Sequence, residues 1–447
     1  MSTETHSLIH RAQDSLPGGK IIIIGAGLSG IATAFFLRGS GITAPVYEKE
    51  KNIGGLCRST HINGYTFDYC GHLLHFRRPE VFTLLHSLMG KDLTRHRRDA
   101  SVSIFNTHIR YPFQANLHGL PPQVRAACLE GFIQAKKRIP SDHPENFAQW
   151  SHCHFGRAIT EYFMKPYNEK FWTVSLEELS CEWVNDFIVV PTLRQVRARI
   201  QREEKRRLGY HSFFWYPSSG GIEQLIKSFT RGNQSMHTEH EVVRIDPVTR
   251  RIWFSHGSSQ QYDRLVSTMP LPLLANVIAG LPDTVRDDFK KLRWTSIYNI
   301  NLGLAQPVNF DHHWMYFPEH AHSFFRVGCF DRFSPSLVPP GKRSLYVEVS
   351  YSKGKPLDKK IEKQAIDDLM KAKIISSPHA IETIHVNDIP FAYPLYDFEW
   401  KTARSNILKY LHAYHIFPVG RFGGWQYMSM EDVILEAERT AALLAHR

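Results

Sequence analysis

The chain has 447 residues, 43% hydrophobic and 22% charged, with a formal net charge of +11. That length supplies two or three domains with a large core, and no apolar run approaches the ~20 residues of a membrane-spanning helix. Six cysteines at 57, 70, 128, 153, 181 and 329 include no C-x-x-C pair, which argues against a disulfide framework or a thiolate metal site and for free thiols in a reducing, cytoplasmic compartment.

The first twenty residues are polar and lack the apolar centre of a secretory signal, so they read as a loose leader. Next comes "KIIIIGAGLSGIATAFFLRGSG", a β-branched run followed by G-x-G-x-x-G at Gly25, Gly27 and Gly30 and a small-residue helix. A buried strand ending in such a turn lets backbone N–H groups and a helix N-terminus approach a pyrophosphate. A second strand, "APVYEKE", ends at Glu48, placed to hold a ribose hydroxyl pair. A second glycine pair, Gly54 and Gly55, follows with Leu56 and Arg58 in "KNIGGLCRST". This pairing of glycine loops resembles the fingerprint of FAD proteins of the amine oxidase and glutathione reductase class, and FAD is the cofactor expected.

Helical periodicity is visible in "PEVFTLLHSLMG" and "RQVRARIQ". The basic run "RQVRARIQREEKRR" carries internal glutamates, so it reads as a solvated helix face and no nucleic-acid partner is expected. "EVVRIDP" resembles the strand that covers the adenine through backbone groups around Val243, and "YDRLVSTMPLPLL" the strand that re-enters the dinucleotide sheet. The alternation in "IYNINLGL" and "SLYVEVSYS" predicts strands. Near the end, "GRFGGWQYMSMEDVILEA" places Arg421 in a glycine turn before a helix whose N–H groups, near Met430, would face the flavin. The 25 histidines are scattered along the chain, and no metal site is expected.

Six stretches resemble, in order, the UDP-galactopyranose mutase family: "RYPFQANLHGLP", "FGRAITEYFMKPYNEKFW", "WMYFPEHAHSFFRVGCF", "YVEVSYSK", "FAYPLYD" and "GRFGGWQY". The resemblance implies that reduced FAD bonds through N5 to the anomeric carbon of a nucleotide sugar, so that pyranose and furanose forms interconvert. It implies that Tyr111, Gln114, Asn168 and Trp172 contact the uridine. Tyr316, Tyr393 and Tyr427 would donate to the diphosphate and Arg326 would grip it, while His72 lies under the flavin. One departure stands out: Phe187 occupies the position of a second diphosphate arginine, which leaves Arg194 or Arg197 to compensate or implies a less charged ligand. An FAD oxidoreductase of the amine oxidase or protoporphyrinogen oxidase type is the alternative, and a non-catalytic flavin-binding scaffold a third. NADH or NADPH is the candidate reductant, and homo-oligomerisation is left open.

The expected architecture is α/β. A discontinuous Rossmann-type FAD-binding domain takes residues 1–80 (after the leader), 210–270 and 400–447. A mostly helical insert spans 81–209, and a sheet-rich substrate domain spans 271–399.

Overall fold

The computed structural model describes residues 19–137, 144–201, 212–232, 235–306 and 308–446. The expected leader and the end of the basic run lie outside the described residues. Ile21–Ile24 is buried at every position, as four consecutive β-branched residues demand of a strand covered on both faces. It is central in a five-stranded parallel sheet ordered Ile416–Pro418, Arg264–Ser267, Ile21–Ile24, Val46–Tyr47, Met236–His237. Helix Leu28–Gly39 packs against helix Met430–Ala445, so the first and last helices among the described residues share one core. Val242–Asp246, Arg251–Phe254 and Ser259–Gln261 form a separate antiparallel sheet. The architecture is α/β, with a parallel dinucleotide-type sheet assembled from distant parts of the chain.

A larger sheet of seven strands stands beside it, ordered Ile381–Pro394, Trp294–Leu304, Arg343–Tyr351, Arg326–Gly328, Trp314–Tyr316, Ala100–Ile104, Thr107–Arg110. Its last two strands come from the stretch whose dominant signal is helical. They are joined at Phe105 and Asn106, both at φ +54, the left-handed pair that a two-residue hairpin turn requires. Ala100–Ile104 pairs in parallel with Trp314–Tyr316.

Helices Pro122–Lys137 and Phe147–Ile159 cross at two glycines. A Cβ on Gly156, itself at φ +77, would lie 2.1 Å from the Gly131 carbonyl oxygen. Immediately afterwards Thr160–Met164 winds as a π-helical turn and leads into helix Lys165–Trp172. Such turns rotate the side-chain register and recur at functional sites. Here the next helix carries Tyr167, Asn168, Phe171 and Trp172.

Buried ionisable groups tie these layers together. Lys170, almost fully buried, donates from Nζ to the carbonyls of Phe317 at 2.8 Å, Glu319 at 2.6 Å and Phe324 at 3.1 Å. It thereby fixes the loop between strands Trp314–Tyr316 and Arg326–Gly328, and burial pulls its ammonium down to about 7. Asp68 accepts from Ser59 Oγ at 2.6 Å, the Tyr216 hydroxyl at 2.5 Å and the Ile222 N–H at 3.1 Å. Burial still pushes its carboxyl up to about 6.

Two predictions follow from this packing. Lys170→Met would leave three carbonyls without their donor and should lower unfolding free energy by about 3 kcal/mol, read by denaturant titration; an unchanged midpoint would contradict the three-way cap. The second concerns pH. His72, His75 and His313 are each pushed down to about 4, chiefly by burial. An unfolded chain protonates them near ~6.5, so the stability of their neutral folded forms is lost as pH falls from about 6.5 to about 4. Asp68 acts oppositely, gaining its proton first in the folded chain, and offsets part of that loss. The net expectation is lower stability at about pH 5 than at about pH 7, and equal or greater stability at the lower pH would contradict it.

Candidate active site

Three glycine turns meet at the N-terminus of helix Leu28–Gly39. Gly25 adopts φ +94, and a Cβ there would stand 2.2 Å from Thr268 Oγ1. On Gly30 it would stand 2.0 Å from the Gly25 carbonyl oxygen, so the helix packs onto the turn it leaves. In the second loop the Gly54 N–H donates to the Ala26 carbonyl at 2.7 Å. A Cβ on Gly55 would come 3.1 Å from the Gly27 Cα, so the two loops touch backbone to backbone. In the third turn a Cβ on Gly420 would lie 1.9 Å from Ser29 Oγ. Trp425, fully buried at φ +52, is a bulky residue in left-handed backbone, a conformation that concentrates at functional sites.

The remaining cradle residues surround this junction. Glu48 accepts from the Ala26 N–H at 2.7 Å and the Glu50 N–H at 3.0 Å, one to each oxygen, which leaves lone pairs on both for ribose hydroxyls. Arg58 Nε donates to the Gly55 carbonyl at 2.9 Å, and its guanidinium lies over the Tyr69 ring. Leu56 packs on the cluster holding Cys70 and Phe325. Ser429 and Asp432 form a capping box that opens helix Met430–Ala445, and Met430 lies at its positive end. Val243 sits apart, at a register shift in the antiparallel sheet, with its side chain outward. The crowded glycines, two helix N-termini and a carboxylate with spare lone pairs fit a dinucleotide. His72 Nδ1, buried without a hydrogen-bond partner among the described residues, leaves a polar atom for the flavin end.

Beyond the cradle lies a cavity of about 300 Å³, the size of a small-ligand site. Tyr111, Gln114, Asn168, Trp172, Tyr316, Arg326, Tyr393 and Tyr427 all line it, together with His72, Arg421 and Met430. The phenols stand in mutual contact: Tyr111 to Tyr316 at 4.8 Å between ring centroids, and Tyr393 to Tyr427 at 5.4 Å. Gln114 donates its amide to the Val189 carbonyl at 2.8 Å, which leaves its buried Oε1 without a partner among the described residues. The buried Trp172 Nε1 is likewise without a partner among the described residues. Asn168 donates to the Met164 carbonyl at 2.7 Å.

The cavity arginines are already engaged by the protein itself. Arg326 forms a bidentate pair with Glu348, through Nε to Oε2 and through Nη2 to Oε1 at 2.8 Å; Glu348 is fully buried. Three of the five N–H groups of Arg326 remain for a ligand. Arg421, in the third glycine turn, donates from Nε and Nη2 to the Met428 carbonyl and lies 5.3 Å from the Tyr393 and Tyr427 rings. It holds the turn as well as facing the cavity. Phe187 lines the cavity and packs at a tilt against Tyr427, 4.3 Å between ring centroids, while Arg194 and Arg197 are exposed and away from it. The additional cation is Arg98, which is 2% exposed, lines the cavity and lies 5.1 Å from the Tyr111 ring. In sequence Arg98 closes the run "RHRR" and is indistinguishable from a surface charge; its burial comes from the tight link between strands Leu93–Arg97 and Ala100–Ile104.

Comparison with known proteins agrees with this geometry. The signature of the family described as flavin containing amine oxidoreductase matches residues 28–396. Protoporphyrinogen oxidase 2, chloroplastic/mitochondrial, of Arabidopsis thaliana is 25% identical over 34% of this chain and 32% of its own length, so the match spans about a third of that relative. The zeta-carotene-forming phytoene desaturase of Myxococcus xanthus is 24% identical over 78% of this chain and 75% of its own. Among solved structures, reduced UDP-galactopyranose mutase superposes with a TM-score of 0.91 and 27% identity, covering 96% of both chains. With a glycine-turn cradle that fits a flavin dinucleotide, this chain belongs to the flavin containing amine oxidoreductase family and is, within it, UDP-galactopyranose mutase-like in fold.

Proposed function

We propose that this chain is an FAD-dependent mutase that interconverts the pyranose and furanose forms of a nucleotide sugar of the UDP-galactose kind. The observation that carries the reading is the convergence, in one cavity beside the flavin cradle, of the eight residues that the mutase resemblance assigns to the nucleotide sugar. Reduced FAD, when bound, supplies the nucleophile for the sugar carbon. The protein's own groups do the rest. Arg326, aimed by Glu348, and Arg98 take the charge of the diphosphate as it leaves. Tyr316, Tyr393 and Tyr427 donate to its oxygens, Gln114 Oε1 accepts from the base, and the aromatic walls keep water from the opened sugar. His72 stays neutral at physiological pH and adds no positive charge beside the flavin. NADH or NADPH is proposed as the reductant.

An oxidase of the protoporphyrinogen oxidase kind is the second reading, favoured by the family signature and by the apolar Phe187 in the cavity wall. Chromatography of UDP-galactose isomers separates the two. Isomers should interconvert after dithionite reduction, with no peroxide formed; turnover from the oxidised flavin with peroxide would overturn the mutase reading. Arg326→Ala would strand the buried carboxylate of Glu348, so the informative change is Arg326→Lys. With a single ammonium replacing the fork, KM should rise on the order of tenfold while FAD absorbance per chain is unchanged; an unaltered KM would remove Arg326 from the diphosphate. Tyr427→Phe should lower turnover several-fold, and full activity would argue against its phenolic contact.

A further inference from the structure

Strand Arg343–Tyr351 runs between Arg326–Gly328 and Trp294–Leu304, and its register sets two rows of side chains. In one row Glu348 lies between Arg326 and Asn299; in the next Tyr346 lies between Gly328 and Asn301. Gly328 has no side chain, and the Tyr346 ring takes that space: a Cβ on Gly328 would stand 2.0 Å from the phenol Cζ. At the ring's tip, a Cβ on Gly71 would come 2.5 Å from the hydroxyl oxygen. Two glycines from distant parts of the chain therefore make a slot for one side chain. Phe330 closes it, its ring centroid 4.8 Å from that of Tyr346, and Tyr346 is only 1% exposed.

The slot opens on the cavity, which Gly71, His72 and Tyr346 line together. The Tyr346 hydroxyl has no hydrogen-bond partner among the described residues. Beside it in the same row, the buried amide of Asn301 has neither its oxygen nor its nitrogen engaged among the described residues. A phenylalanine would fill the slot equally well, so packing alone does not call for the hydroxyl. The oxygen is the feature to explain, and a ligand in the cavity is what can complete it.

We propose that Tyr346 is a specificity-determining residue whose hydroxyl hydrogen-bonds the sugar of the bound nucleotide sugar at the His72 end of the cavity. The inference rests on the mutase reading. The phosphates have cations in Arg98, Arg326 and Arg421. A phenol, with His72 lining the same cavity, both donates and accepts, the pairing that a sugar hydroxyl makes.

Calorimetric binding of UDP and of UDP-galactose to the FAD-loaded, oxidised protein tests this, using the wild type, Tyr346→Phe and Gly328→Ala. Tyr346→Phe should weaken UDP-galactose about tenfold while leaving UDP affinity and FAD content unchanged. Gly328→Ala, which displaces the phenol, should remove the same galactose-dependent increment. Equal weakening of both ligands would make the hydroxyl a phosphate contact, no change would make it packing alone, and loss of FAD would make it a cofactor contact. Each of those results overturns the proposal and leaves the mutase reading standing. A wild-type protein that binds neither ligand removes that reading, and this proposal with it.

Discussion

The constraint on which this structure depends is the close approach of three glycine turns at one helix end. A Cβ at Gly30, Gly55 or Gly420 would fall between 1.9 and 3.1 Å from a neighbouring atom, nearer than van der Waals contact allows. The turns come from the start, the second loop and the end of the regular chain, so their meeting closes the parallel sheet and its covering helices into one body. It also brings two helix N-termini to one place, where their N–H groups and dipoles favour a phosphorylated cofactor. The cavity is built outward from that point: His72 follows the second loop, and Arg421 and Tyr427 follow the third.

Charge in the cavity is arranged against the cost of burial. Arg326 is held by a fully buried carboxylate, a pairing that adds little to stability but fixes the fork in one orientation. Lys170, spread over three carbonyls, fixes the loop between the strands that carry Tyr316 and Arg326. Phe187 against Tyr427 makes part of the wall apolar, while the buried Arg98 brings a cation to the cavity from the connection between two strands.

Much of this was legible in the sequence, for physical reasons. Ile21–Ile24 and its glycine turn announce themselves because a doubly covered strand needs a continuous apolar run. The capping box at Ser429 and Asp432 and the alternation of Trp294–Leu304 and Arg343–Tyr351 are equally local signals. Ala100–Ile104 and Thr107–Arg110 lie within a stretch dominated by helical signals, and only partners far along the chain make them part of a seven-stranded sheet. Arg98 and Glu348 could not be read at all. Their chemistry depends on burial and on a cross-strand neighbour, neither of which is encoded in spacing. The sequence also suggested Arg194 and Arg197 as substitutes for the missing arginine, because proximity along the chain was the only distance available there.

The central claim is that the cavity breaks the bond between the anomeric carbon and the diphosphate when the flavin is reduced. The most direct measurement follows a heavy-oxygen label placed in that bridge of UDP-galactose, by phosphorus magnetic resonance. Scrambling of the label into the non-bridging positions of the β-phosphate, with reduced protein only, is the predicted result. A label that stays in the bridge with protein that holds FAD and binds the nucleotide sugar would contradict the account.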